Sequence, residues 1–237
     1  MLNQESFGPP KIANQGESHL ACVLLLDTSG SMAGDPIIRL NQALRDFKDQ
    51  LNMDELANKR VDIAIVEFNE SVNIIQPFTP ISQMTPVTLE AKGSTSMGAG
   101  INLAIDILKE RNRFYATLGT PCHKPWIFMI TDGEPTDDLD LAKKRIIEEE
   151  GKGSHGKLKF FALGVPGFKR EVLIDLTRHQ GENPRIMEIG DIDFSKIFDW
   201  LSKSMAYISV SRIGEEVQLS RLPDNVKKID PHDTKGW

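Results

Sequence analysis

Three short stretches carry the residues whose types and spacing could do chemistry. Asp27-Thr28-Ser29-Gly30-Ser31 follows the apolar run Leu24-Leu25-Leu26, and Thr131-Asp132-Gly133-Glu134-Pro135-Thr136-Asp137 closes a second run, Trp126 to Ile130. Between them, Gly93-Ser94-Thr95-Ser96-Met97-Gly98 precedes a helical pattern. A continuous apolar run bounded by turn residues reads as a buried strand, so Asp27 and Asp132 sit where two such strands leave the core. The carboxylates of Asp27 and Asp132 and the hydroxyls of Ser29, Ser31 and Thr95 are hard oxygen donors. These suit magnesium, manganese or calcium rather than softer metals. Each loop alone has a plainer reading, because Asp and Ser also bond their own backbone in turns. Three such loops on one rim, outside the carboxyl ends of the strands where α/β sheets bind ligands, point instead to one metal site.

The elements that must position these loops alternate along the chain. The first strand runs from about Leu20 to Leu26. Asp35-Pro36 then starts a helix whose apolar face is Ile37, Leu40, Leu44, Phe47 and Leu51. Val61 to Phe68 and Val72 to Phe78 are separated only by Asn69-Glu70-Ser71, too little for a crossover helix, so they pair as an antiparallel hairpin. Thr79 to Lys92, broken by Pro80 and Pro86, reads mainly as loop, and Ile101, Ala104, Ile105 and Leu108 mark the next helix. Beyond the Pro125 to Thr131 strand come a helix marked by Leu139, Ala142 and Ile146 and a loop from Gly151 to Gly156. Lys159 to Val165 reads as a strand, Arg170 to Thr177 as a helix and Arg185 to Ile189 as a short strand. The closing helix carries Phe194, Ile197, Phe198, Leu201, Met205 and Ile208. The pattern predicts an α/β fold in three layers, with a mostly parallel central sheet and helices on both faces. The expected organisation is a polar N-terminal arm (1–18), one domain (19–210) and a C-terminal tail without strong periodicity (211–237).

The 237 residues are 40% hydrophobic and 26% charged, the composition of an ordinary globular protein. A net charge of -6, without clustered Lys and Arg, argues against a nucleic-acid partner. Cys22 and Cys122 lie far apart without metal-ligand spacing. No basic start followed by an apolar block marks a secretory leader, and no apolar run reaches the roughly 20 residues that span a bilayer. A reduced, cytoplasmic setting is the expectation.

Several rival motifs fail on their surroundings. Gly151 to Lys157 has the spacing of a phosphate loop, but Leu158 replaces the hydroxyl residue and the stretch follows a helix instead of a strand; it reads as a mobile basic loop. Gly98-Ala99-Gly100 begins a dinucleotide fingerprint, yet Leu103 holds the third glycine position. Ser29 and Ser31 lack the Gly-x-Ser-x-Gly context of hydrolases, the five histidines lack HExxH spacing, and an aspartic protease needs an all-β body. The alternative retained is a metal-dependent phosphohydrolase with Asp27 as nucleophile, although such enzymes carry Asp-x-Asp where this chain has Ser29.

With Asp27-x-Ser29-x-Ser31, Thr95 and Asp132 in three successive loops, the chain resembles the von Willebrand factor type A domains. Their metal-ion-dependent adhesion site uses Asp-x-Ser-x-Ser, a Thr in a second loop and an Asp in a third. The stretches Asp27 to Met32, Gly93 to Gly98 and Pro125 to Asp137 are similar to a bacterial cytosolic branch associated with tellurite-resistance operons, called TerY-like, with Ser94 where a Gly is common. The resemblance covers about residues 19 to 210. It implies a Rossmann-like fold with one antiparallel edge strand and a divalent cation, magnesium first with manganese or calcium as alternatives. It further implies a non-enzymatic module in which the metal bridges to a partner's Glu or Asp, with phosphatase-like or kinase-like operon neighbours as candidate partners in a stress-resistance complex.

Overall fold

All eight residues of β1 (Leu20–Asp27) are buried, and they divide by parity. Leu20, Cys22, Leu24 and Leu26 enter one apolar cluster, whereas Ala21, Val23 and Leu25 enter another. This is the pleat of a strand covered on both faces, and it explains why β1 reads as an unbroken apolar run. On the first face lie α1 (Asp35–Met53), α2 (Glu55–Arg60) and α6 (Phe194–Val210), with the rings of Phe47 and Phe198 5.1 Å apart between α1 and α6. On the second lie α3 (Met97–Leu118), α4 (Asp140–Glu150) and α5 (Arg170–Thr177).

The structure is a computed structural model that describes residues 11–151, 157–181 and 184–230. Among these the sheet has seven strands in the order β3-β2-β1-β4-β5-β6-β7. The strands after β1 are β2 (Val61–Phe68), β3 (Val72–Pro80), β4 (Trp126–Thr131), β5 (Lys159–Gly164), β6 (Ile186–Ile189) and β7 (Val226–Lys228). The five strands β2, β1, β4, β5 and β6 run parallel, and β3 returns antiparallel beside β2 as the expected edge strand. Pro77 and Pro80 lie on that edge strand, the position in a sheet where proline is tolerated.

Two elements exceed the sequence reading. Helix α2 is six residues long with Ala57 its one buried residue, too short for a helical period to show; Asp54 caps it by accepting from the N–H groups of Leu56 and Ala57. Strand β7 arises in the stretch read as tail and pairs antiparallel with β6 at the opposite edge from β3. The tail also packs Val217, Leu219 and Leu222 on the first cluster, and the Trp200 indole N–H donates to Ser220 O at 2.7 Å. At the other end, residues of the polar arm lie against the body. Arg111 Nη2 donates to Lys11 O at 2.7 Å, and Thr120 Oγ1 donates to Gln15 O at 3.2 Å. The first ten residues of that arm, residues 152–156 of the loop read as basic, and 231–237 lie outside the described residues. Among the described residues no helix is long and apolar enough to cross a membrane.

The order of the central strands fixes where a ligand can sit. After β1 the chain leaves for α1 on the first face, and after β4, its neighbour, it leaves for α4 on the second face. The two exits diverge and leave a crevice at the carboxyl ends of β1 and β4, a topological switch point. The parallel register pairs Leu26 with Ile130, so Asp27 and Asp132 emerge together on that rim.

Candidate metal centre

The five sequence-predicted site residues do come together. Ser31 Oγ donates to Asp132 Oδ1 at 2.8 Å, and Ser29 Oγ lies 3.0 Å from Ser31 Oγ. Asp27 Oδ1 accepts from the Ser29 N–H at 2.8 Å, the bond that turns the chain sharply out of β1. Thr95 closes the set across Gly133. A Cβ built on Gly133 would lie 3.1 Å from Thr95 Oγ1 and 3.2 Å from Asp27 Oδ2, so both oxygens face one point beside the third loop. All but Ser31 are buried or nearly so.

A ring of hydrogen bonds ties the three loops to one another. Gly30 N donates to Gly93 O at 3.0 Å, Lys92 N to Thr28 O at 2.8 Å and Ser96 N to Asn69 O at 2.8 Å. Asn69 Nδ2 also donates to Thr28 Oγ1 at 2.9 Å, so the β2–β3 turn holds the first loop from behind. Thr95 is clamped to the third loop, its N–H donating to Thr136 Oγ1 at 3.1 Å and its carbonyl accepting from Thr136 N at 2.9 Å.

Three residues here escaped the sequence reading. Thr131, buried inside an apolar run, donates its hydroxyl to Asp27 Oδ2 at 2.6 Å. Its only sequence signal is a hydroxyl beside Asp132. Asp137, at the end of the third loop, caps α3, accepting from Gly98 N at 3.0 Å and Ala99 N at 2.8 Å. Its charge therefore complements the positive end of that helix instead of standing free on the rim. Lys169, from the β5–α5 loop, reaches to 3.7 Å from Glu134, so a fourth loop borders the site.

The electrostatics favour a cation. Burial raises the Asp27 carboxyl above its usual range against the hydrogen bonds from Ser29, Thr131 and the main chain, which oppose it. Asp132 is raised too, first by burial and then by the Asp27 charge, with the Ser31 hydroxyl opposing. A divalent ion beside these carboxylates would favour their ionised forms against the burial that raises both. The oxygen spacing fits as well. Magnesium–oxygen bonds of about 2.0–2.1 Å at right angles place neighbouring ligand oxygens about 2.8–3.0 Å apart. The Ser29–Ser31 and Ser31–Asp132 separations are 3.0 and 2.8 Å. Among the described residues no group of three or more His, Cys, Asp or Glu is placed to hold a metal.

The sheet and its two helical layers have the von Willebrand factor type A fold. Residues 22–134 match the family model of the von Willebrand factor type A domain, a span that includes Asp27, Ser29, Ser31, Thr95 and Asp132. Similar solved structures include a von Willebrand factor type A protein from Catenulispora acidiphila, with 17% identity, a TM-score of 0.58, and coverage of 80% of this chain and 43% of that one. The pilus adhesin SpaC from Lactobacillus rhamnosus GG, in its open conformation, shares 13% identity with a TM-score of 0.61, covering 83% of this chain and 31% of that one. The PilB minor pilin from Streptococcus sanguinis shares 17% identity with a TM-score of 0.51, covering 81% and 62%. The chain thus spans less than two thirds of each of these structures, and at such identities the likeness is one of fold. A search of curated proteins finds no match.

Proposed function

We propose that the chain is a non-enzymatic protein-interaction module that works through a divalent cation held by Asp27, Ser29, Ser31, Thr95 and Asp132, a metal-ion-dependent adhesion site. The observation that carries this reading is the convergence of oxygens from three loops, Ser29 through Ser31 to Asp132 in hydrogen-bond contact, with Asp27 and Thr95 meeting beside Gly133. Magnesium is the first choice, with manganese or calcium as alternatives. When bound, the ion supplies an open coordination position for an anionic oxygen. The chain's own part is to hold that position open and hungry for charge. Three of its five donors are neutral hydroxyls, so with either aspartate acting through water little of the ion's double charge is neutralised by direct contacts. The Thr131 hydroxyl and the Ser29 N–H keep both Asp27 oxygens engaged and oriented. The matching group on a partner is a Glu or Asp carboxylate.

The same contacts argue against the phosphohydrolase alternative. Asp27 is fully buried and each of its oxygens already accepts a hydrogen bond, a poor posture for an attacking nucleophile. That one structural relative is named an adhesin supports a binding role by analogy of fold. The resemblance to the TerY-like branch supports a cytoplasmic stress-resistance or phospho-signalling complex with phosphatase-like or kinase-like partners, and the free thiols of Cys22 and Cys122 suit a reducing compartment. Neither nucleic acid nor a membrane is part of this reading.

The test is the affinity of an identified partner for wild type, for Thr95→Ala and for Asp132→Ala, each with magnesium and with chelator. Loss in both variants and in chelator, restored by magnesium for wild type alone, is expected. Unchanged affinity throughout would contradict a metal bridge. Phosphate-ester turnover that disappears in Asp27→Asn would return the enzyme reading.

A further inference from the structure

The loop from β5 to α5 is a fourth wall of the site, and the chemistry of its sequence explains its shape. Val165-Pro166-Gly167-Phe168 closes a turn in which Phe168 N donates to Val165 O at 3.0 Å, with Pro in the second position and Gly167 at φ +105° in the third. Proline presets the first corner and only glycine takes the second without strain. The turn is fastened to the site, since Val165 N donates to Thr131 O at 2.9 Å, and a Cβ on Gly167 would lie 3.7 Å from Asp132 O. Lys169 follows at the start of α5, 47% exposed, with its ammonium 3.7 Å from the Glu134 carboxylate, itself 69% exposed and two residues beyond Asp132.

We propose that Lys169 is a specificity residue that selects partners carrying a second carboxylate next to the one that reaches the metal; this rests on the metal-bridged reading above. An exposed pair at 3.7 Å is held weakly, so Glu134 occupies Lys169 without locking it. An incoming acid can exchange with Glu134 at little cost. Asp138, next to Asp137 in the third loop, repels a carboxylate that lands beside the metal, whereas Lys169 gives it one favourable position. An extended partner places the side chains of residues i and i+2 on one side, so an acid-x-acid segment presents a second carboxylate to the same face as the one that reaches the metal.

The probes are two synthetic peptides of equal length and net charge, each with one central Glu to reach the metal; in one the second Glu lies two residues further on, and in the other it lies at the end of the peptide. Wild type with magnesium is expected to bind the Glu-x-Glu peptide roughly threefold to fivefold more tightly, the scale of one exposed charge pair. Lys169→Ala should erase the preference and Lys169→Glu should invert it, while magnesium affinity measured by calorimetry stays within about twofold in both. Equal binding of the two peptides to wild type, binding of neither, or a preference that survives Lys169→Ala would overturn the proposal. Failure of the metal-bridged reading looks different: wild type then takes up no magnesium, or binds the peptides equally well in chelator.

Discussion

Thr131 Oγ1 donates a 2.6 Å hydrogen bond to Asp27 Oδ2, joining the ends of β1 and β4 one residue beyond their last paired residues, Leu26 and Ile130. The bond fixes the carboxylate at the mouth of the crevice, and the same Thr131 oxygen accepts from Gly133 N at 3.2 Å. Thr131→Val keeps the side-chain shape and removes both contacts. In chelator it should cost about 1–3 kcal/mol, the usual penalty for leaving a buried acceptor without its donor. Urea unfolding of the two proteins measures this; stability within 0.5 kcal/mol of wild type (about the scatter of a neutral substitution) would mean that the bond does not hold Asp27.

Gly98 lies where the third loop crosses the first turn of α3. A Cβ there would come within 2.4 Å of Asp138 O, a main-chain atom that cannot swing aside. Gly98→Ala should therefore destabilise the fold by about 1–3 kcal/mol through overpacking, despite alanine's better helix propensity. It should also weaken magnesium binding by displacing Thr95, three residues upstream. A variant as stable as wild type in denaturant titration would show that the loop has room to move.

The contrast between Thr131 and Asp27 shows which parts of this protein are legible in its sequence. Asp27, Ser29, Ser31, Thr95 and Asp132 could be read because each punctuates an apolar or helical pattern, and the structure brings them together on one rim. The buried strands β1 and β4 and the long helices α1, α3 and α6 show in their periods. Thr131 could not be read, since its role depends on register with a strand over a hundred residues away. Asp137 and Lys169 likewise take their roles from long-range neighbours, the α3 N-terminus and Glu134. Strand β7 is three residues with Lys227 and Lys228 exposed, so its strand character comes from pairing with β6, not from its own composition.

Away from the site, acid should unfold the protein partly through Asp62. Burial pushes this carboxyl up, but the His19 hydrogen bond, the Arg111 and His19 charges and the Tyr115 hydroxyl outweigh it and hold it below the usual range. Its folded value lies below its unfolded value of about 3.9, so the stabilisation is complete above that pH and is lost as pH falls through the folded value. Asp62→Asn should be less stable at pH 7 by about 3–5 kcal/mol, because it leaves Arg111 buried without its counter-charge. It should also show a shallower loss of stability below pH 4 than wild type. Parallel acid limbs in urea unfolding between pH 3 and pH 7 would remove Asp62 from the explanation.

Removing the metal should leave the fold standing. Two apolar clusters fill both faces of the sheet without help from the rim. Magnesium at a hundred times its dissociation constant should add about 2.7 kcal/mol by mass action alone. Far-ultraviolet circular dichroism and thermal melting in chelator check this: an intact spectrum with a lower Tm is expected, and a mostly unfolded chain would mean that the metal is part of the core.

The most direct measurement is a calorimetric titration of magnesium into wild type and into Asp27→Asn and Asp132→Ala, with folding of each confirmed by circular dichroism. Saturable binding of one equivalent to wild type, weakened at least tenfold in both variants, is the predicted result. Wild-type protein that takes up neither magnesium nor manganese, or variants that bind as tightly as wild type, would contradict the assignment of Asp27, Ser29, Ser31, Thr95 and Asp132 as a metal site.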